Sequence, residues 1–128
     1  MFTLSQIKEA HSKVKSGADF PAYIQELKKM GITHYEAFVS DGHIKYHGKN
    51  DFEIVSESKY NPLEINNKYQ EQFLTDLKAH QQGKTDYLTF CTDCAKSGVE
   101  KWIVDLNEMT CTYFDMSGNN VLVENIPG

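Results

Sequence analysis

Arginine is absent from this chain: all 13 basic residues among its 128 are lysine. Arginine's planar fork is the usual reader of guanine edges, phosphates and substrate carboxylates, so sequence-specific nucleic-acid binding and phosphoryl transfer both lose their commonest tool. The formal net charge of −5 disfavours polyanions as well. No apolar run reaches membrane-spanning length, and none near the start resembles an export signal, so a cytoplasmic protein without a membrane partner is expected. Three cysteines, an odd number, do not make a disulfide framework and suit reduced thiols. A glycine-rich phosphate loop, a serine nucleophile elbow, a paired-histidine zinc helix and a calcium loop are all missing. No cofactor is called for, and no catalytic residue stands out.

What is present is a duplication. Residues 19 to 56 reappear without a gap at 86 to 123, a shift of 67. Asp19-Phe20 falls on Asp86-Tyr87, Tyr23 on Phe90, Gly31 on Gly98, Ile32 on Val99 and Tyr35 on Trp102. Further on, Val39 falls on Leu106, Tyr46 on Tyr113 and Ile54 on Val121. Chance does not preserve aromatic, glycine and aliphatic positions across both a helix-like and a strand-like segment. A unit of about 60 residues is marginal alone, so residues 1–128 are expected to form one domain of two repeats, about 4–56 and 70–125, sharing a core.

Thr3 with Gln6 forms a capping-box pattern, and Leu4, Ile7, Ala10 and Val14 recur at helical spacing up to Ser16-Gly17. Asp19 then caps a second helix, with Pro21 in its first turn and a stripe of Phe20, Tyr23, Ile24 and Leu27 ending at Gly31. After Gly31 the period becomes two: Tyr35, Ala37 and Val39 alternate with His34, Glu36 and Phe38. Asp41-Gly42 signals a hairpin, Ile44 and Tyr46 lie on the returning strand, and 52–55 supply a third. Residues 57–64 connect the copies. A longer helix is predicted over about 65–82, with Ile65, Tyr69, Phe73, Leu74 and Leu77 inward and Gly83 ending it. Asp86 opens a fourth, with Tyr87, Phe90, Cys91 and Cys94 inward and a stop at Gly98, followed by strands near 100–106, 109–115 and 120–125. Two ααβββ units make the class α+β, with antiparallel meanders and their helices on one face, because the strand connections are too short for crossovers. A single joined sheet is favoured because joining removes two exposed edges.

Cys91-Thr92-Asp93-Cys94 invites a redox or zinc reading, with Cys111 as a third ligand. The shift of 67 places these thiols on Ile24, Leu27 and Ile44, which are core positions, so buried reduced cysteines without metal are expected. His34, Glu36, His43 and His47 gather on the polar face of the first meander as ligand candidates. His43 and His47, four apart on one strand, stand about 13 Å apart, too far for one tetrahedral ion. The outer face of the second meander, with Ile103, Thr110, Thr112 and Phe114, differs in kind from that of the first, with His34, His43, Lys45 and His47, and an apolar outer face packs on something, a homodimer partner among the options. The matched aromatics Tyr35, Tyr46, Trp102 and Tyr113 would either converge as a cleft for a flat ligand, with Tyr35 and Trp102 as candidates, or fill the core.

In the second copy Gly98-Val99-Glu100-Lys101-Trp102, Asp105, Met109-Thr110-Cys111-Thr112-Tyr113, Asp115, Gly118 and Glu124-Asn125-Ile126-Pro127, and in the first Asp19-Phe20-Pro21, Gly31 and Tyr35, the chain resembles the YbcV-like family. These are small bacterial proteins often labelled phage envelope protein. The resemblance covers nearly the whole chain. It implies a bacterial or prophage setting, a domain of unknown function, and no catalytic residues to carry over. Two hypotheses follow: a non-enzymatic binding or interaction module, or a small enzyme or metal- or ligand-binding protein using His34, Glu36, His43 or His47.

Overall fold

Thr3 and Gln6 cap the first helix reciprocally, the Gln6 N–H donating to Thr3 Oγ1 at 3.2 Å and the Thr3 N–H to Gln6 Oε1 at 2.9 Å. In this computed structural model, which describes residues 2–15 and 19–126, helix α1 runs Leu4–Ser12 and buries Ile7 and Ala10. Val14 therefore lies past the helix end, partly buried against the core rather than on a helical stripe. The expected stop at Ser16-Gly17 lies outside the described residues. Helix α2, Phe20–Lys29, has Pro21 in its first turn and buries Tyr23, Ile24 and Leu27. Asp19 occupies the N-cap position without a side-chain capping bond. Its carboxylate instead accepts the backbone N–H of Lys15 at 2.9 Å.

Strands β1 (Ile32–Phe38), β2 (Ile44–Gly48) and β3 (Glu53–Val55) follow as a meander. The predicted helix over 65–82 shortens to α3, Gln72–Gln81. Its first part is taken away by the end of α4, Tyr87–Lys96, whose last carbonyls need donors. Asn66 N–H donates to the Ala95 carbonyl at 2.8 Å, Asn66 Nδ2 to that of Lys96 at 3.0 Å, and Gln70 N–H to that of Ser97 at 2.8 Å. Asn66 Oδ1 also accepts the Lys68 N–H at 3.0 Å, a local bond that competes with helix. Phe73 and Leu77 face inward as expected, whereas Leu74, beside Phe73 but off that stripe, is 45% exposed. Asp86 caps α4 through the Thr89 N–H at 2.8 Å, and Phe90, Cys91 and Cys94 are buried as expected, whereas Tyr87 is 38% exposed.

Strands β4 (Val99–Asp105), β5 (Thr110–Asp115) and β6 (Asn120–Asn125) form the second meander. The two meanders join in one antiparallel six-stranded sheet, ordered β3-β2-β1-β4-β5-β6. The class is α+β. At the central seam Glu36 stands opposite Ile103, Tyr35 opposite Val104 and Ala37 opposite Trp102. Glu36 and Ile103 are themselves 67 apart, the interval at which the sequence pattern recurs. The flanking bonds obey the same interval: Val39 N–H donates to the Glu100 carbonyl and Leu106 N–H to that of Thr33, each at 2.9 Å. Tyr35 pairs with Tyr46 as Trp102 pairs with Tyr113, and register slips after Ile32 and after Val99 alike. Positive φ occurs at Gly31 and Gly98, Gly42 and Met109, Asp51 and Gly118. Met109 holds a left-handed conformation where its counterpart is glycine, at a cost of roughly 1–2 kcal/mol.

The correspondence stops in the last strand. A bulge between Tyr113 and Phe114 sets Leu122, not Val121, opposite Tyr113, so Leu122 takes the place that Ile54 holds opposite Tyr46. The inward side chains of the sheet and the buried faces of all four helices form one apolar cluster.

Candidate functional site

Because side chains alternate along a strand, burying Tyr35, Ala37, Tyr46, Trp102, Val104 and Tyr113 beneath the helices turns their neighbours to the opposite face. His34, Glu36 and Phe38 of β1, Lys45 and His47 of β2, Lys101 and Ile103 of β4, and Thr112 and Phe114 of β5 all lie there, each only partly exposed. The register then fixes which of them meet. His34 and His47 are cross-strand partners whose rings stack at 4.2 Å and 4°. His47 Nε2 lies 3.1 Å from one Glu36 oxygen, and Lys101 Nζ donates to the other at 3.1 Å.

Burial tends to raise the Glu36 carboxyl, but the bonds from Lys101 and His47 outweigh it and hold the group below the usual carboxylate range. Partial burial lowers His34, and the neighbouring His47 lowers it further. The Thr33 hydroxyl donates to the His47 carbonyl at 3.2 Å, so its oxygen is left to accept from His34 Nδ1 at 3.0 Å. That assigns the neutral His34 tautomer.

His43 does not join this group. It precedes β2 rather than sharing the strand with His47, its ring stacks on Phe38 at 4.4 Å and 5°, and its Nδ1 bonds Asp41 Oδ1. That bond is the main reason the Asp41 carboxyl is held down to about 2. The four polar candidates thus divide into His34, His47 and Glu36 at the seam and His43 at the hairpin. Among the described residues no group of three His, Cys, Asp or Glu side chains could hold a metal ion.

Tyr35 and Trp102 lie on the other face, buried at 6% and 9% exposure. Trp102 packs against Phe90 at 5.7 Å and Tyr113 at 5.9 Å, and Tyr35 against Tyr46 at 5.6 Å. These rings are core.

Lys101 was not legible as a site residue, yet it ties the face together. Its ammonium lies 5.7 Å from the Phe38 ring centre and 5.6 Å from that of Phe114 while it holds Glu36. Its position 67 residues after His34 was visible, but meeting Glu36 depends on β1 pairing with β4, which no local pattern states. Beyond it the face becomes apolar, through Ile103, Phe114 and Val123, the last 53% exposed.

Cys91, Cys94 and Cys111 are buried and free. Burial pushes all three thiols up, Cys111 to about 12, so none presents a thiolate at neutral pH. A thiol reagent is expected to label them in native protein no faster than the chain opens, with full labelling in denaturant. A thiol reacting within the mixing time would contradict this burial.

Comparison with known proteins places the chain in context. The family model described as "Protein of unknown function (DUF1398)" matches residues 8–125. The Escherichia coli (strain K12) "Uncharacterized protein YcgX" is 22% identical over 115 residues, which span 89% of this chain and 86% of that one. A shorter match, 40% over 43 residues, is to Mycobacterium tuberculosis (strain H37Rv) "Uncharacterized protein Rv2012", covering 34% of this chain and 26% of that protein. Among the described residues no helix is long and apolar enough to cross a membrane.

Proposed function

We propose, starting from the fact that the chain belongs to the DUF1398 family of proteins of unknown function, that it is a non-enzymatic interaction protein whose uncovered sheet face meets a second copy of itself. One observation carries this reading: the helices cover a single face of the six-stranded sheet, and the other carries Ile103, Phe114 and Val123 in its second half. Six strands about 4.8 Å apart, from three to seven residues long, present on the order of 500 Å² in flat projection, and more when corrugated. Standard stable interfaces take about 800 Å² per partner, so the face suits another protein surface rather than a small ligand.

A second copy, which the net charge of −5 would repel elsewhere on the surface, can meet this face through an uncharged patch. Ile103, Thr112, Phe114 and Val123 form such a patch, and placing like on like across a two-fold axis joins apolar to apolar. The same proposal includes one domain built by duplication, with repeats at about 4–56 and 70–125, and the cytoplasmic, prophage-related setting that resemblance to the YbcV-like proteins implies. The matched seam register, the paired slips and the paired positive-φ positions support the duplication.

Phe114→Asp tests the interface. A carboxylate in a desolvated apolar contact costs about 2 kcal/mol or more, which weakens self-association roughly thirtyfold. Sedimentation should show the variant shifted to monomer with an unchanged circular dichroism spectrum. A variant that associates as wild type does would remove Phe114 from the contact.

A further inference from the structure

We propose that the stacked His34 and His47 rings, coupled through Glu36 and Lys101 to Phe114, form a proton-operated control that releases the contact between copies as pH falls. The proposal rests on the reading of the outer face as that contact. Its parts are continuous: ring on ring at 4.2 Å, His47 to Glu36 at 3.1 Å, Glu36 to Lys101 at 3.1 Å, and the Lys101 ammonium 5.6 Å from the Phe114 ring centre. One end is the polar half of the face, the other the apolar half.

The groups facing the pair come from four strands. On β1 they are Glu36 and, through Thr33 Oγ1, the bond to His34 Nδ1. On β2, Lys45 stands two residues from His47 on the same side. From β3, Glu53 comes within 4.0 Å of His47 Nδ1, and from β4 Asp105 stands opposite His34.

Neutral His47 meets Glu36 as a donor through Nε2, so an added proton goes to Nδ1, on the side of Glu53. The resulting imidazolium competes with Lys101 for Glu36 and loosens the ammonium that lies over Phe114. A second proton, on His34, would set two cations face to face at ring-stacking distance, which parts the rings. The sign is definite. The folded chain holds a proton on His34 less readily than the unfolded chain does, so this arrangement contributes fully above about 6.5 and loses stability as pH falls through that value. Glu36, held low, remains a carboxylate throughout the window.

Two measurements on the full chain between pH 8 and pH 5 decide it: proton NMR of the histidine rings, and sedimentation of wild type and of His47→Gln. His47→Gln retains an amide donor toward Glu36 but cannot take a proton. The expected results are a His34 midpoint below the free-histidine value that rises part of the way toward it in His47→Gln, the share due to burial remaining, and a dimer fraction that falls severalfold with acid in wild type and stays level in the variant. A dimer indifferent to pH, or a His34 midpoint unmoved by His47→Gln, overturns the control and leaves the contact standing. A protein monomeric at every pH overturns the contact and the control together.

Discussion

Gly98→Ala should lower stability by about 3 to 5 kcal/mol, while Gly31→Ala, at the start of the other meander, should lose only about 1 to 2 kcal/mol. Both glycines have positive φ, +95° at Gly31 and +80° at Gly98, so both substitutions incur the left-handed cost of roughly 1–2 kcal/mol. The rest of the difference is what a new Cβ meets. At Gly31 it meets nothing within 4 Å, whereas at Gly98 it would lie 2.5 Å from the Lys68 carbonyl oxygen and 3.0 Å from the Tyr69 Cα. Those are backbone atoms of the segment 66–70, which is tied down by the Asn66 and Gln70 bonds to the end of α4 and cannot move aside without losing them. Thermal melts should place Gly98→Ala about 10 °C or more below Gly31→Ala. Equal losses at the two positions would mean that the 66–70 segment does not cross Gly98 as closely as described.

Phe73→Ala should cost about 3 to 5 kcal/mol, as truncations of fully buried aromatics do. Phe73 has no exposure, and it joins three elements: its ring centre is 5.0 Å from that of Tyr113 on β5, 6.4 Å from Phe90 on α4 and 6.3 Å from Tyr69 in the segment before α3. Collapse around the hole is resisted by the sheet below. Leu74→Ala, one residue on, should stay within about 0.5 kcal/mol, since the side chain is 45% exposed and alanine is the better helix former. Urea midpoints compare the pair under one set of conditions. Comparable losses would contradict the phase of α3, the point on which the structure departs most from the sequence reading.

That departure shows where a sequence is informative. Period-two alternation from Tyr35 to Val39 is dictated by the backbone itself, and it placed the inward side chains of β1 correctly. The start of α3 is decided by something remote in the chain: Asn66 and Gln70 are recruited by carbonyls about 30 residues away, and their local helical pattern loses to those bonds. The one-residue slip that puts Leu122 opposite Tyr113 is likewise a bulge, which no periodicity records. In the candidate site the face of each residue was legible but the neighbours were not. Lys101 and Glu36 are 65 residues apart and meet only because β1 pairs with β4. His43 and His47 shared a sequence pattern, yet the turn bond to Asp41 holds His43 off the strand and against Phe38. Tyr35 and Trp102 suited both a cleft and a core until the positions of the helices determined which.

The most direct test of the contact between copies is an isotope-filtered NMR experiment on an equal mixture of labelled and unlabelled protein, which reports only contacts between different molecules. The account predicts cross-peaks joining the methyl groups of Ile103 and Val123 in one copy to the Phe114 ring of the other. An absence of such cross-peaks, in a sample that sediments at the 14.6 kDa mass of a single chain, would contradict it.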